Sequence, residues 1–245
     1  MHNSKTVKQG AALATAALIL SACGGDPQPQ PEPQPTEQAG LISGVVQPMK
    51  PTTTSVFPVN GAVETPSTSF TAAVQPNGNF DLALPTSATL NANYASDLNS
   101  VKSSYSYCDK NLDPNATFTT NAPDDMKMLQ INELSSNDGR TLIASSNGGA
   151  TFREWWYVDR DYQLTFTGTN CFSIGDVSAD LALKKGWNVI EHNWKAVGDK
   201  NVTTYQVIAQ PTARTVYTDS SMAAQSVKGF NINMLRPWQN PANLR

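Results

Sequence analysis

After residue 40 the apolar and β-branched residues lie in runs of strand length, and in the run 69–85 they alternate with their neighbours. A period of two places every second side chain on the same face of a strand, which is typical of a half-buried β-sheet. The runs of strand length are 41–47, 69–85, 126–134, 140–146, 154–159, 162–168, 176–183, 187–194, 202–210 and 212–218. No long stretch has the 3.6-residue period of a helix. The sequence therefore predicts a mostly β chain, folded as an antiparallel β-sandwich of one or two modules.

Two dipeptides within this pattern predict hairpin turns. Asn77-Gly78 and Asp138-Gly139 each stand between two alternating segments. Such pairs favour the positive φ angles of tight hairpin turns. We expect the strands on either side of each turn to pair with each other.

The first 22 residues have the composition of a secretory signal peptide. Lys5 and Lys8 make residues 1–10 positive, and residues 11–20 are apolar or small. This apolar run is too short to span a bilayer, which needs about 20 residues. The combination predicts a signal peptide over residues 1–22, with a buried helix as the alternative.

The segment "LSAC" at the end of this run resembles the lipobox of bacterial lipoproteins. Leu20, Ser21 and Ala22 precede Cys23 in the lipobox order. The resemblance implies cleavage before Cys23, a diacylglycerol thioether on its nucleophilic sulfur, and N-acylation such as palmitoylation. Two or three acyl chains hold a protein stably at a bilayer. The chain is therefore expected to be exported and anchored through Cys23 to the cell membrane or the outer membrane.

Residues 23–40 form a tether rich in Pro and Gln. Proline occupies every second position from Pro27 to Pro35. Such a run favours an extended polyproline II conformation, in which a dozen residues reach roughly 35–40 Å. We interpret this segment as a spacer between the membrane and the folded region, with a proline-motif ligand as the alternative.

Residues 41–92 are predicted to form a small β module. They resemble the carboxypeptidase-regulatory-like and transthyretin-like modules of exported proteins. The matching residues are Ile42, Gly44, Val46, Asn77, Gly78, Phe80, Leu82, Leu84 and Pro85. The resemblance implies a role in binding or packing, without catalysis.

Residues 93–235 are predicted to form a larger β-sandwich module, and residues 236–245 an irregular tail. The larger module contains a segment similar to an L-x-L-x-x-G-W-N hairpin of uncharacterised exported bacterial lipoproteins. The matching residues are Leu181, Leu183, Gly186, Trp187 and Asn188. This resemblance implies an exported β protein with a hairpin turn at Lys185-Gly186, and it names no activity.

Two cysteines remain once Cys23 is assigned to lipidation. Cys108 and Cys171 are an even pair in an oxidising compartment, which predicts a disulfide. The bond would close a loop of roughly 60 residues and contribute about 4 kcal/mol in the chain-entropy model. Two buried free thiols are the alternative.

The composition argues against several classes of function. The formal net charge is −3 without a basic block, so no nucleic-acid partner is expected. His2 belongs to the signal peptide, which leaves His192 as the sole histidine, whereas catalytic zinc sites need two or three. The alternating Asp and Asn residues of 109–115 have the spacing of calcium ligands, but Pro114 and Thr120 stand where an EF-hand needs Gly and Glu, so a polar turn is favoured over a calcium site. No cofactor or metal is therefore predicted.

The segment "REWWYVDRDY" is the most unusual candidate for a ligand surface. In a strand, Trp155 and Tyr157 would share one face and Trp156 the other, so both faces would be aromatic. The strand is either buried on both sides or an aromatic platform for a glycan or a partner.

These observations favour a non-catalytic role. We expect a lipid-anchored envelope protein that binds or supports an envelope protein or a polysaccharide. The alternative is a glycan or cell-wall hydrolase that uses acidic residues near the aromatic segment, such as the pairs Asp159/Asp161 and Asp176/Asp180.

Overall fold

The computed structural model describes residues 37–59, 70–93, 99–100, 108, 110–111, 113–146, 150–171, 175–198 and 200–221. These residues all belong to one compact unit that begins at Pro35. The predicted signal peptide, Cys23, nearly all of the tether and the tail 236–245 lie outside the described residues.

The described residues form fifteen strands and one short helix, which confirms the mostly β prediction. The strands are β1 (Leu41–Gln47), β2 (Ser55–Val59), β3 (Ala72–Ala73), β4 (Asn79–Ala83), β5 (Asn99–Ser100), β6 (Thr117–Thr120), β7 (Lys127–Ile131), β8 (Glu133–Ser136), β9 (Thr141–Ser146), β10 (Thr151–Val158), β11 (Tyr162–Cys171), β12 (Gly175–Leu183), β13 (Gly186–Val197), β14 (Lys200–Ile208) and β15 (Thr215–Asp219). The helix α1 spans Ser87–Asn93.

The strands form two sheets that meet at β9 and β10. The first sheet has the order β5-β7-β10-β13-β14-β12-β11-β6. The second has the order β3-β2-β8-β9-β15-β1-β4. Most pairs are antiparallel, and the two parallel pairs are β1 with β15 and β12 with β14. This arrangement is sandwich-like, as predicted.

Strands from both predicted modules are hydrogen-bonded within the second sheet. β1 pairs with β15, and β2 pairs with β8, so residues 41–92 contribute to the same sheet as residues from 93–235. The boundary predicted at residue 92 therefore does not coincide with a break in the sheet.

The predicted turns are present, but only one of them joins two paired strands. The turn at Asp138-Gly139 joins β8 to its partner β9, and Gly139 has the expected positive φ of 80°. Gly78 also has a positive φ, yet β3 pairs with β2 while β4 pairs with β1. The predicted hairpin at Lys185-Gly186 is wrong, because β14 lies between β12 and β13.

Helix α1 was not predicted, because its start depends on a distant residue. The Glu37 carboxylate accepts hydrogen bonds from the backbone N–H of Ser87 (2.7 Å) and from its hydroxyl (2.6 Å). A carboxylate at this position satisfies a free N–H group of the first helical turn. The helix therefore holds the end of the tether against the folded region.

Two hydrophobic cores lie on the two faces of the first sheet. The inter-sheet core lies between the sheets and contains Ile42, Val46, Val56, Phe80, Leu82, Leu129, Ile131, Leu134, Leu142, Trp155, Tyr157, Trp187, Val189 and Tyr217. The disulfide core lies on the opposite face and contains Cys108, Met126, Met128, Trp156, Val158, Leu164, Phe166, Cys171, Val177, Leu181, Leu183, Ile190 and Tyr205.

The predicted disulfide is present in the second of these cores. Cys108 and Cys171 are bonded, and both are buried. Gly168 lies directly beside the bond, since a Cβ atom there would be 2.6 Å from Cys171 Sγ and 2.7 Å from Cys108 Sγ. The glycine thus allows β11 to approach the sulfur atoms closely.

Candidate functional site

The aromatic segment of β10 lies in the interior. Trp155, Trp156 and Tyr157 are each 1% exposed. The interpretation as an exposed ligand surface therefore needs correction, and the alternative of a strand buried on both sides describes these residues. The physical reason is that β10 is a central strand with a hydrophobic core on each face.

Alternate side chains of β10 enter different cores. Trp155 stacks on Tyr217 in the inter-sheet core, with ring centroids 6.3 Å apart. Trp156 enters the disulfide core, where its ring lies 5.9 Å from that of Tyr205. Its indole N–H donates a 2.7 Å hydrogen bond to Glu154 Oε2. Aromatic area at this strand therefore stabilises the fold.

Glu154 and His192 form a buried polar pair beside Trp156. Glu154 is 1% and His192 3% exposed, and His192 Nε2 lies 3.6 Å from Glu154 Oε1. The His192 ring lies between Phe152 and Tyr205, with centroid distances of 5.1 and 5.2 Å. Within the described part of the chain, neither nitrogen of the His192 ring has a hydrogen-bond partner. Glu154 Oε1 has none there either.

Burial keeps both members of this pair neutral. It raises the pKa of Glu154 to about 8, an effect that the Trp156 hydrogen bond opposes and the Glu133 carboxylate reinforces. Burial likewise lowers the pKa of His192 to about 3. The pair could exchange a proton, but neither residue lines the Arg153 depression described below or the surface hollows at Trp187 and at Thr119.

The position of Glu154 follows from the course of β10. Phe152 pairs with β9, whereas Trp155 pairs with β7, so β10 changes its neighbour at Arg153 and Glu154. The buried polar residues Asn132 and Glu133 follow directly after β7. Polar side chains therefore gather where the two sheets separate, on both faces of β10.

The Arg153 depression is the candidate binding site. It is a surface hollow of about 360 Å³ between β9, the start of β10, β13 and the start of β15. Its lining is Ala144, Ser145, Ser146, Thr151, Phe152, Arg153, Glu191, Arg214, Thr215 and Val216. Its volume falls within the range of ordinary small-molecule sites, about 300–1,000 Å³.

Two of the lining residues, Arg153 and Glu191, form an ion pair. Arg153 Nη2 donates a 2.6 Å hydrogen bond to Glu191 Oε1, and Nη1 donates to the Thr215 hydroxyl at 2.8 Å. The two charged side chains are 23% and 18% exposed, so a ligand can reach them. The cross-strand register of Arg153 and Glu191 in β10 and β13 fixes this contact.

A second ion pair neutralises the other arginine of the depression. Arg214 donates hydrogen bonds to both carboxylate oxygens of Asp81, each at 2.9 Å, and to the Phe80 carbonyl at 2.6 Å. The guanidinium lowers the pKa of Asp81, chiefly through these hydrogen bonds. The four charged groups therefore sum to zero.

The acidic pairs that motivated the hydrolase alternative are dispersed. Asp161 pairs with Lys184 at 2.8 Å, and Asp176 lies 4.0 Å from Lys200. Asp180 accepts a hydrogen bond from Gln163, and Asp159 accepts one from Tyr162. These are surface contacts outside the Arg153 depression, whose lining contains a single carboxylate, Glu191.

The Arg153 depression was not predicted from the sequence, because its charged residues come from β10, from β13 and from the residue before β15, and they form no motif. The one available signal was the alternation of β13, which exposes Glu191 on the face opposite His192.

The calcium-like segment forms a polar turn where it is described. The Asp113 carboxylate accepts a 2.8 Å hydrogen bond from the Asn115 N–H. Within the described ranges, no group of three or more His, Cys, Asp and Glu residues could hold a metal ion.

No described helix has the length and apolar character to cross a membrane.

Comparison of the chain with protein-family models, curated proteins and solved structures found no match.

Proposed function

We propose that this chain is an exported, lipid-anchored cell-envelope protein whose β region binds an envelope partner or a polysaccharide without catalysis. The observation that carries the proposal is Cys23, which follows "LSA" and a short apolar run and precedes an extended tether. A buried disulfide between Cys108 and Cys171 supports an oxidising compartment.

The chemistry of the Arg153 depression favours binding over hydrolysis. Glycoside hydrolysis ordinarily needs two carboxyl groups roughly 5–9.5 Å apart on either side of the scissile bond. The depression offers Glu191 alone, and that carboxylate is already paired with Arg153. Glu154 is buried and lies on the opposite face of the sheet.

Mass spectrometry of the protein extracted from bacterial envelopes tests the anchor. We expect the chain to begin at Cys23 and to carry acyl groups, and Cys23→Ala to remain unprocessed in the aqueous phase of a detergent partition. A chain that retains residues 1–22 and has no acyl group would contradict the proposal.

The binding role is tested by cross-linking in intact envelopes and capture of the acylated protein, with the Cys23→Ala variant as control. We expect to capture an envelope protein or a polysaccharide, and we expect this capture to depend on the folded region. Release of reducing ends from envelope glycans by the purified protein would favour the hydrolase alternative.

A further inference from the structure

We infer that the Arg153 depression binds a neutral glycan through two adjacent hydroxyl groups of one sugar unit. This inference rests on the proposed binding function and names its ligand class. The observation behind it is a partly exposed donor and acceptor held side by side on a rigid pair of strands.

The Arg153–Glu191 pair offers a hydrogen-bond donor and a hydrogen-bond acceptor to two adjacent hydroxyl groups. The two hydrogen bonds of the guanidinium use one N–H from each terminal nitrogen, so each retains a further N–H. From the described residues, Glu191 Oε2 accepts one long hydrogen bond of 3.4 Å, from Gln206, which leaves lone pairs for a ligand. Each sugar hydroxyl can donate and accept, so one hydroxyl can bind Glu191 while its neighbour accepts from Arg153.

The surroundings of the pair suit a polar, uncharged ligand. The lining around it includes the hydroxyl-bearing residues Ser145, Ser146, Thr151 and Thr215 and the apolar residues Ala144 and Val216. Such a mixture of an apolar wall and a few convergent polar groups is usual in small-molecule sites.

Charge distinguishes this ligand class from an anion. Arg153 is paired with Glu191, and Arg214 with Asp81, so neither guanidinium is available as a net positive charge. A carboxylate or phosphate bound here would lie beside Glu191 and be repelled by it. A neutral ligand avoids this repulsion.

The pair is also pre-organised. Arg153 and Glu191 lie opposite each other in the ladder of β10 and β13, and Thr215 holds the guanidinium from β15. Side chains held in this way lose little conformational freedom when a ligand binds.

The experiment is a titration of the purified full chain in detergent with maltohexaose, cellohexaose and chitohexaose, followed by calorimetry. We expect at least one of these neutral oligosaccharides to bind. Arg153→Lys keeps the charge but removes the planar fork, and Glu191→Gln keeps the size but removes the charge. Each should weaken binding about tenfold or more, equivalent to about 1.4 kcal/mol.

Two substitutions of the same chemistry outside the depression are the controls. Arg160→Lys changes an arginine paired with Asp125, and Asp180→Asn changes an exposed carboxylate. Both should leave the affinity within about twofold of the parent chain. If Arg153→Lys fails to fold, Glu191→Gln alone decides the question.

The inference is overturned if no neutral oligosaccharide binds, or if binding is unchanged in both depression variants. Binding of inorganic phosphate or an oligouronate in their place would also overturn it. Equal capture of a protein partner by the parent chain and by the Arg153→Lys and Glu191→Gln variants would contradict the glycan inference. It would still support the proposed function.

Discussion

Strand β10 contributes to two cores that differ in their chemistry. Its odd-numbered residues Trp155 and Tyr157 pack among apolar side chains between the sheets. Its even-numbered residues include Trp156, which belongs to the same core as the disulfide and donates a hydrogen bond to Glu154. The inter-sheet core contains only tyrosines as titratable groups among its described members, and burial raises their pKa values above the usual range.

This difference means that the two cores respond to different conditions. Stability of the inter-sheet core should depend on packing alone between mild acid and mild alkali. Stability of the disulfide core should also depend on oxidation and pH, because it contains a covalent bond and two neutral ionisable groups.

The largest expected effect is that of Trp156→Ala. Removing a buried tryptophan costs about 3–5 kcal/mol, and loss of the donor to Glu154 adds roughly 1–3 kcal/mol. Trp155→Ala is the matched control, since the Trp155 indole N–H has no hydrogen-bond partner among the described residues. Urea unfolding of both variants measures the difference. Equal losses would argue that the Trp156–Glu154 hydrogen bond contributes little.

Loss of the disulfide should come next. Cys108 and Cys171 are 63 residues apart, and opening a loop of this length removes about 4 kcal/mol in the chain-entropy model. Cys108→Ser with Cys171→Ser should lower the free energy of unfolding by this order, measured under oxidising conditions. The parent chain treated with a reducing agent is the control, since it loses the same bond without a substitution. An unchanged unfolding midpoint would contradict the prediction.

Glu154→Gln should remove a loss of stability at high pH. The pKa of Glu154 is about 8 in the folded protein and 4.5 in the unfolded chain, so the folded state binds the extra proton between these values. The stabilising contribution is therefore complete below pH 4.5 and declines as pH rises to 8, by at most about 1.4 kcal/mol per pH unit. Stability of the Gln variant should be flatter between pH 6.5 and 8 in urea titrations. An identical slope in both proteins would show that Glu154 is ionised when folded.

His192→Phe should remove the opposite dependence at low pH. The pKa of His192 falls from 6.5 in the unfolded chain to about 3 in the folded protein, so here the unfolded state binds the extra proton. Its contribution is present above pH 6.5 and is lost as pH falls towards 3. Between about pH 4.5 and 6.5 the Glu154 contribution to the free energy of unfolding falls with pH while the His192 contribution rises. The two changes cancel, which predicts a plateau of stability in this range. The Phe variant should instead lose stability as pH rises through this window.

Local features of the fold were predictable from sequence, whereas strand order was not. The short β-branched run 41–47 predicted β1 at its observed bounds, and Asp138-Gly139 predicted the β8–β9 hairpin. The chain also bends at Lys185-Gly186, but β14 lies between the flanking strands and runs parallel to β12. Turn residues determine local direction, while pairing depends on contacts that are distant in sequence.

The candidate site was less predictable for the same reason. The sequence pattern of an aromatic strand is the same whether one face or both faces are covered. Trp155 was therefore compatible with an exposed binding surface as well as with a buried position. Arg153, Glu191 and Thr215 meet only because β10, β13 and β15 converge. The sequence positions of these residues have no spacing that indicates a site.

Both faces of β10 are buried from Glu154 to Val158, and His192 reports directly on the face that packs in the disulfide core. Once residues 1–22 are removed, His192 is the sole histidine of the chain, so its imidazole ¹⁵N resonances can be assigned without ambiguity. A pH titration by NMR should find a neutral ring, without exchange with solvent, down to about pH 4. A ring that titrates near pH 6.5 would mean that water reaches the disulfide core, and the account of β10 would be wrong.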